Sequence, residues 1–193
     1  MMQTALLLAP RGARLDLRGQ GVLGAAGTPR WVLSGAVLAG EILRGAQGAQ
    51  ARWRDVDATG VDLSEAILES ADFKDVRLTH ACLRAAVLSR AQAARVDLGG
   101  VDATGASFAG SRLTDCDLSA AVLVGADFRG AHLVRVRLSG ADLREVDFGG
   151  AVLEDCELRW ADLRGVVGLA LPAAPLRAGG ARLSEAGAGR TRA

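Results

Sequence analysis

AVLVG ADFRG AHLVR VRLSG ADLRE VDFGG, residues 121–150, divides into six five-residue units with one shared pattern. A small residue comes first, a larger apolar residue third, and polar or small residues fill the other positions. Extended outward, the same frame holds from Trp31 to Gly165, 27 consecutive units without an insertion. From Val56 to Gly165 the first position is 12 Ala, 7 Val, 2 Cys (Cys116 and Cys156) and Ser111, and the third is 15 Leu, 4 Phe and 3 Ala. A fixed short period outranks local propensity, because it marks one structural unit that is stacked again and again. Neither a 3.6-residue nor a two-residue period generates this pattern, so an amphipathic helix and an ordinary half-buried strand are both excluded. All four prolines (Pro10, Pro29, Pro172 and Pro175) fall outside residues 31–165, where a missing amide donor would interrupt a hydrogen-bonded ladder.

A second period of 20 residues lies over the first. Val56, Val76, Val96, Cys116, Val136 and Cys156 are first-position residues spaced by 20, and all are larger than alanine. The 16 remaining first positions hold only three valines, Val61, Val101 and Val146. Phe108, Phe128 and Phe148 share the same spacing at the third position. A coil of four units would stack such side chains on their own kind.

The units ADFKD, ADFRG, ADLRE and ADLRG resemble the A(D/N)LXX consensus of the pentapeptide-repeat family, and the resemblance covers about 135 of the 193 residues. It implies an all-β fold, a right-handed quadrilateral β-helix of about seven coils, with first and third residues pointing inward and the others outward. At about 4.8 Å per coil the solenoid would be about 33 Å long. A square coil this narrow admits leucine and alanine and little else, which accounts for 50% hydrophobic residues with only 4% aromatic. Twelve glycines occupy the fifth position, where the chain turns between faces. Residues 1–30 are expected to cap the N-terminal end and residues 166–193 to form a C-terminal cap, with a flexible tail beyond Pro172, because a bare solenoid end exposes core and unpaired strand groups. Two departures predict local irregularity. The third position reads Gly48, Trp53 and Ala58 in successive units, which predicts an irregular first coil. Ala93 and Ala103 sit ten residues apart on opposite walls of one coil, which predicts a pinch or bend there, partly filled by Phe108.

The charge pattern bears on function. The chain carries a net charge of +1, which divides into −5 over residues 31–165 (20 acids, 15 bases) and +3 on each flank. Arginine abundance is no nucleic-acid signal here, because a single lysine (Lys74) beside 22 arginines, with no Asn or Tyr, reads as coding bias. Ten aspartates occupy the second position between residues 56 and 165, and Asp62, Asp102, Asp142 and Asp162 form the candidate partner-binding acidic ladder. The resemblance implies that such a rod can mimic DNA, as some family members do when they bind DNA gyrase and protect it from quinolones or toxins. Arg77, Arg112, Arg129, Arg135, Arg137, Arg144, Arg159 and Arg164 interrupt the acidic field within about one Debye length, ~8–10 Å. The favoured reading is a non-catalytic, rigid scaffold for a protein partner, monomeric or dimerised end to end. Modulation of DNA gyrase is the alternative, and direct nucleic-acid binding is not expected. His80 and Cys82 are outward neighbours of the types used in nucleophilic dyads and zinc sites. On a convex wall with no evident fourth ligand they are read as surface residues, so neither catalysis, metal nor cofactor is expected. Cys116 and Cys156 lie two coils apart, about 10 Å, too far to bond, and read as small buried filler. Trp160 is outward and isolated, a candidate contact. With no apolar run of roughly 18–20 residues and no CxxC pair, the chain reads as cytoplasmic, in a reducing compartment.

Overall fold

The fold is that of a computed structural model, which describes residues 31–170 and 179–183. Seven strands of three residues begin 20 residues apart: Val32–Ser34 (β1), Arg52–Arg54 (β2), Asp72–Lys74 (β3), Gln92–Ala94 (β4), Arg112–Thr114 (β5), His132–Val134 (β6) and Val152–Glu154 (β7). They pair in parallel in chain order, each residue opposite the one 20 positions on. The other three sides of each coil are tied by single bridges with the same offset, beginning at Val37↔Asp57, Ile42↔Asp62 and Gln47↔Ile67. The result is a right-handed quadrilateral β-helix with a strand face and a second, third and fourth face. Backbone groups are satisfied by the coils on either side. Asp62 N–H donates to Glu41 C=O one way (2.9 Å), and Leu63 N–H to Cys82 C=O the other way (2.8 Å).

Every one of the 27 fifth-position residues has a positive φ, between 52° and 76°. Twelve are glycine and fifteen are not, Ala120, His80 and Trp160 among them. On the second, third and fourth faces the amide that follows closes the corner onto the third-position carbonyl, as in Ala66 N–H to Leu63 C=O at 3.1 Å. That combination is the type II turn, which favours but does not demand glycine at its third residue.

Between Val56 and Gly165 every first- and third-position side chain is buried except Ala93, Ala151, Leu153 and Cys156. The last three belong to the final full coil. Phe108, Phe128 and Phe148 stack with ring centroids 4.7 and 5.4 Å apart, and Trp53 meets Phe73 edge-on at 5.3 Å.

The predicted irregularity of the first coil is one of side-chain volume and leaves the backbone register unbroken. Trp31 is buried and lies over Gly48, where an added Cβ would come within 3.2 Å of the Trp31 ring and 2.9 Å of Leu68 Cδ2. Glycine stands where leucine is usual because the indole already fills the space. The predicted shortage of volume at Ala93 and Ala103 is present on one wall only. A cavity opens beside Ala93 with Phe108 in its lining, whereas Ala103 is fully buried and outside it, and β3, β4 and β5 stay in register.

At the C-terminal end Val166 and Leu169 pack on the core. Gly168 then takes φ 72° at a third position, with its backbone against Gly149 and Phe148, and the chain leaves the repeat frame. Residues 179–183 return to the third face. Arg182 bridges to Asp162, its amide donates to Ala161 C=O at 2.8 Å, and Leu163 N–H donates to Arg182 C=O at 2.7 Å. This piece of the segment read as a flexible tail is therefore paired to the solenoid, and the unit ARLSE at 181–185 is in frame with ADLRG at 161–165. Residues 1–30, 171–178 and 184–193, which include the expected N-terminal cap and most of the tail, lie outside the described residues.

Candidate functional site

The 20-residue coil brings the acidic ladder onto one surface. The second positions of the third face run Ile42, Asp62, Cys82, Asp102, Val122, Asp142, Asp162 and Arg182, each bridged to the next. The four aspartates thus share a face but not an unbroken row, because Cys82 and Val122 intervene. Ile42 is 55% exposed and Val122 37%.

Each carboxylate is committed to its own turn. Asp62 Oδ1 accepts the Ser64 amide (3.0 Å) and hydroxyl (2.5 Å), and Asp102 Oδ1 accepts the Thr104 amide (3.1 Å) and hydroxyl (2.7 Å). Asp142 and Asp162 accept the amides of Arg144 and Arg164, both at 3.3 Å, and are gripped by the same residues' guanidinium groups, with Nη2 at 2.7 and 2.6 Å. The amide bond from residue i+2 recurs at Asp57, Asp97, Asp117, Asp127 and Asp147. Nine of the ten second-position aspartates therefore cap the turn that follows them. Asp72, in β3, is the exception and pairs with Arg54 instead. The local reason is the Asx geometry, in which a short carboxylate reaches the amide two residues on and stands in for a backbone acceptor.

The ladder is also neutralised pair by pair. Arg44 lies 3.8 Å from Asp62, Arg84 3.2 Å from Asp102, and Arg144 and Arg164 form forks on Asp142 and Asp162. The guanidinium hydrogen bonds hold the Asp142 and Asp162 carboxyls below the ordinary value of 3.8. Burial pushes Asp62 up, but the Ser64 hydroxyl and amide, Arg44 and the Cys82 thiol outweigh it and bring the carboxyl below its ordinary value. Elsewhere, Arg95 and Arg135 clamp Asp75 and Asp115 one coil back at the corner between the strand face and the second face. Among the described residues Glu154, Asp155 and Glu157, on the last coil, have no basic group within 4 Å.

His80 and Cys82 do not converge on a common target. His80 sits on a corner with its ring over Gly100, where an added Cβ would lie 2.6 Å from Nδ1. Cys82 faces Asp62 and Asp102 on the third face. Among the described residues no group of three or more His, Cys, Asp or Glu is arranged to hold a metal ion, and no helix is long and apolar enough to cross a membrane. Trp160 is 68% exposed, but it is not isolated, because Gly180 lies directly under its ring. That contact and the turn-capping role of the aspartates were missed from sequence. The signal for the second was present, since Ser, Thr, Gly or Arg stands two residues after nine of the aspartates.

The pentapeptide-repeat model matches in eight copies, through residues 51–90, 71–110, 97–133, 111–150 and 131–167. The matched residues make up more than half of the chain, which belongs to the pentapeptide-repeat family. Among curated proteins none matches its sequence. Solved structures that resemble it include HetL, a pentapeptide repeat protein involved in heterocyst differentiation regulation in the cyanobacterium Nostoc sp. strain PCC 7120, at 24% identity over 70% of this chain and 86% of that one, with a TM-score of 0.30. A pentapeptide repeat protein of the Arabidopsis thaliana thylakoid lumen is 30% identical over 64% of this chain and 69% of that one, with a TM-score of 0.36. The full-length plasmid-mediated fluoroquinolone resistance protein QnrB1 is 17% identical over 81% of this chain and 93% of that one, with a TM-score of 0.28. None of the three superposes closely enough to carry a function across.

Proposed function

We propose that this chain is a rigid, non-catalytic scaffold that holds a protein partner on its third face, in a reducing, cytoplasmic setting consistent with its three free thiols. The observation that supports this reading is the character of that face. Exposed Ile42 and Val122, 80 residues apart along the row, stand among aspartates whose charges are matched by Arg44, Arg84, Arg144 and Arg164. Apolar anchors set among fixed, paired charges suit a protein surface, where the apolar residues supply affinity and the charges supply register. The unbroken 20-residue offset spaces these side chains by about 4.8 Å per coil, so the face is pre-organised and little entropy is lost on binding.

The same pairing weakens the reading as a DNA mimic of gyrase, since a phosphate-like field needs carboxylates free of guanidinium partners. Chemical crosslinking of the tagged protein in its host, with Val122→Arg, Ile42→Arg and Cys82→Ala compared against wild type, tests the proposal. A partner captured by wild type and Cys82→Ala but lost with the two arginine variants, whose folds are verified by circular dichroism, supports it. Retention by both arginine variants overturns it. A gyrase supercoiling assay, with and without a fluoroquinolone, separates the alternative, because an effect at micromolar protein would identify the partner as gyrase.

A further inference from the structure

At the C-terminal end of the third face, residues 179–183 lie on the last full coil as one added strand unit. ARLSE at 181–185 repeats the small-X-Leu order of ADLRG at 161–165. Arg182 pairs with Asp162, donating its amide to Ala161 C=O at 2.8 Å and accepting Leu163 N–H at 2.7 Å, while Trp160 N–H donates to Gly179 C=O at 3.1 Å. Ala181 is 9% exposed and Leu183 packs half-buried on the core. Gly180, at φ 78°, passes under the Trp160 ring, where an added Cβ would lie 2.8 Å from Nε1.

This attachment is one-sided. An inner unit such as 141–145 exchanges ladder hydrogen bonds with both neighbours: Asp142 N–H donates to Ala121 C=O and Leu143 N–H to Asp162 C=O, while Ala141 and Asp142 accept from Asp162 and Leu123. Among the described residues the 179–183 unit makes such bonds only toward the coil beneath it. Segments held from one side are the ones that open first. What opens here is a strand edge, the Ala161 carbonyl and the Leu163 amide, with buried Ala161 and Leu163 one coil below Ala181 and Leu183 and with Trp160 as a wall. Strand addition draws affinity from main-chain hydrogen bonds and specificity from alternate side chains. The seated unit shows what fits: glycine under the Trp160 ring, then a small residue, an outward residue of any kind, and leucine. We propose that the edge Trp160–Leu163 is a docking site for an extended segment of the order Gly-small-X-Leu on a partner protein, with residues 179–183 as its exchangeable internal ligand. Ile42 and Val122 lie at least two coils away, so this site and the third-face surface proposed above are tested separately.

A fluorescein-labelled peptide of residues 179–185 is the probe, titrated into the full-length chain and read by polarisation. A tethered occupant acts at an effective concentration of roughly millimolar, so wild type is expected to bind the peptide no tighter than that. Ala181→Arg with Leu183→Asp unseats the occupant, leaves the edge intact and is expected to bind at least tenfold tighter. Gly180→Val, strained at φ 78° against Trp160, is the second variant should the first lose its β circular dichroism. The same peptide carrying Leu183→Asp is expected not to bind. In wild type the Leu163 amide is expected to exchange with deuterium faster than the Leu143 amide, and in the unseated variant added peptide is expected to slow it. Equally weak binding by wild type and variants overturns the proposal. So does binding indifferent to the peptide's leucine, or a Leu163 amide that is as protected in wild type as that of Leu143. Wild-type dimers that Leu183→Asp dissolves would assign the edge to a second copy of this chain and overturn the partner site.

Discussion

Asp97 isolates the structural contribution of the repeat's aspartate from its charge. Its Oδ1 accepts the Gly99 amide at 3.0 Å, that amide has no other partner among the described residues, and no basic group lies within 4 Å of the carboxylate. Asp97→Ala removes the acceptor and strands the amide on a half-buried turn. The nearest measured analogue is loss of a helix N-cap acceptor, so the expected cost is about 1 kcal/mol, within a range of roughly 0.5–2. Asp97→Asn keeps an oxygen at the same place and removes only the charge, so its cost is expected to stay below about 0.5 kcal/mol. Equilibrium urea unfolding followed by circular dichroism reads both. With a slope of about 2 kcal/mol/M the alanine midpoint falls by about 0.5 M and the asparagine midpoint barely moves. If asparagine costs as much as alanine, charge is the active property and the turn argument fails. If alanine costs nothing, the aspartates are not needed by the fold, and a purely functional reason for them returns.

Phe128→Ala removes a fully buried ring stacked between two others and is expected to cost about 4 kcal/mol, plus ~1 kcal/mol for the lost ring contacts; a loss below 2 kcal/mol in urea unfolding would mean that the stack is not a stabilising feature. Burial pushes the Cys116 thiol up to about 11, so a thiol-reactive dye at pH 8 should label half-buried Cys82 in the native protein and Cys116 only on unfolding; rapid native labelling of Cys116, read by mass spectrometry, would contradict this. Asp57, held low first by the Thr59 hydroxyl, and Asp127, Asp142 and Asp162, held low first by Arg129, Arg144 and Arg164, have folded-state values below 3.8. The unfolded chain therefore takes up protons first, so the urea midpoint should be level above about pH 5 and fall as pH drops through 4 towards the folded values, and a rise on acidification would reverse the sign. Gly168→Ala, whose new methyl would meet Gly149 backbone at 2.4 Å with φ at 72°, should lower Tm markedly. Ala120→Gly at a corner with φ 55° should be neutral or raise stability by up to about 1 kcal/mol, since relief of left-handed strain slightly exceeds glycine's added freedom when unfolded.

The fold was legible because its determinants are local and repeated. Small and large inward positions recur every five residues and are matched every 20, so register, coil number and the phenylalanine stack all follow from counting. What escaped counting depends on contacts between unlike positions. Gly48 looks like a defect in a third-position column, and only the neighbouring indole of Trp31 shows it to be an exchange of volume. Ala93 and Ala103 look equivalent in sequence, yet one borders a cavity and the other does not. The return of residues 179–183 escaped because Pro172 and Pro175 read in the sequence as the edge of the repeat. Spacing puts Asp62, Asp102, Asp142 and Asp162 on one face, but spacing alone does not reveal that a carboxylate is already occupied by an amide two residues on.

That occupation changes where functional information can lie. Nine second-position aspartates bind their own turns and most also hold an arginine, so the features that most resemble a polyanion are the ones the backbone already uses. Screened pairs at 2.6–3.8 Å project little field beyond a Debye length of ~8 Å, whatever the formal −5 of the repeat suggests. Side chains free of that duty are the ones that distinguish this solenoid from a bare consensus: Ile42 and Val122 on the third face, and His80 and Trp160 laid over glycines at the same corner. A partner that recognises this protein rather than the repeat has to read those departures. Substitutions at consensus aspartates should therefore change stability before they change binding, and substitutions at Ile42 or Val122 should do the reverse.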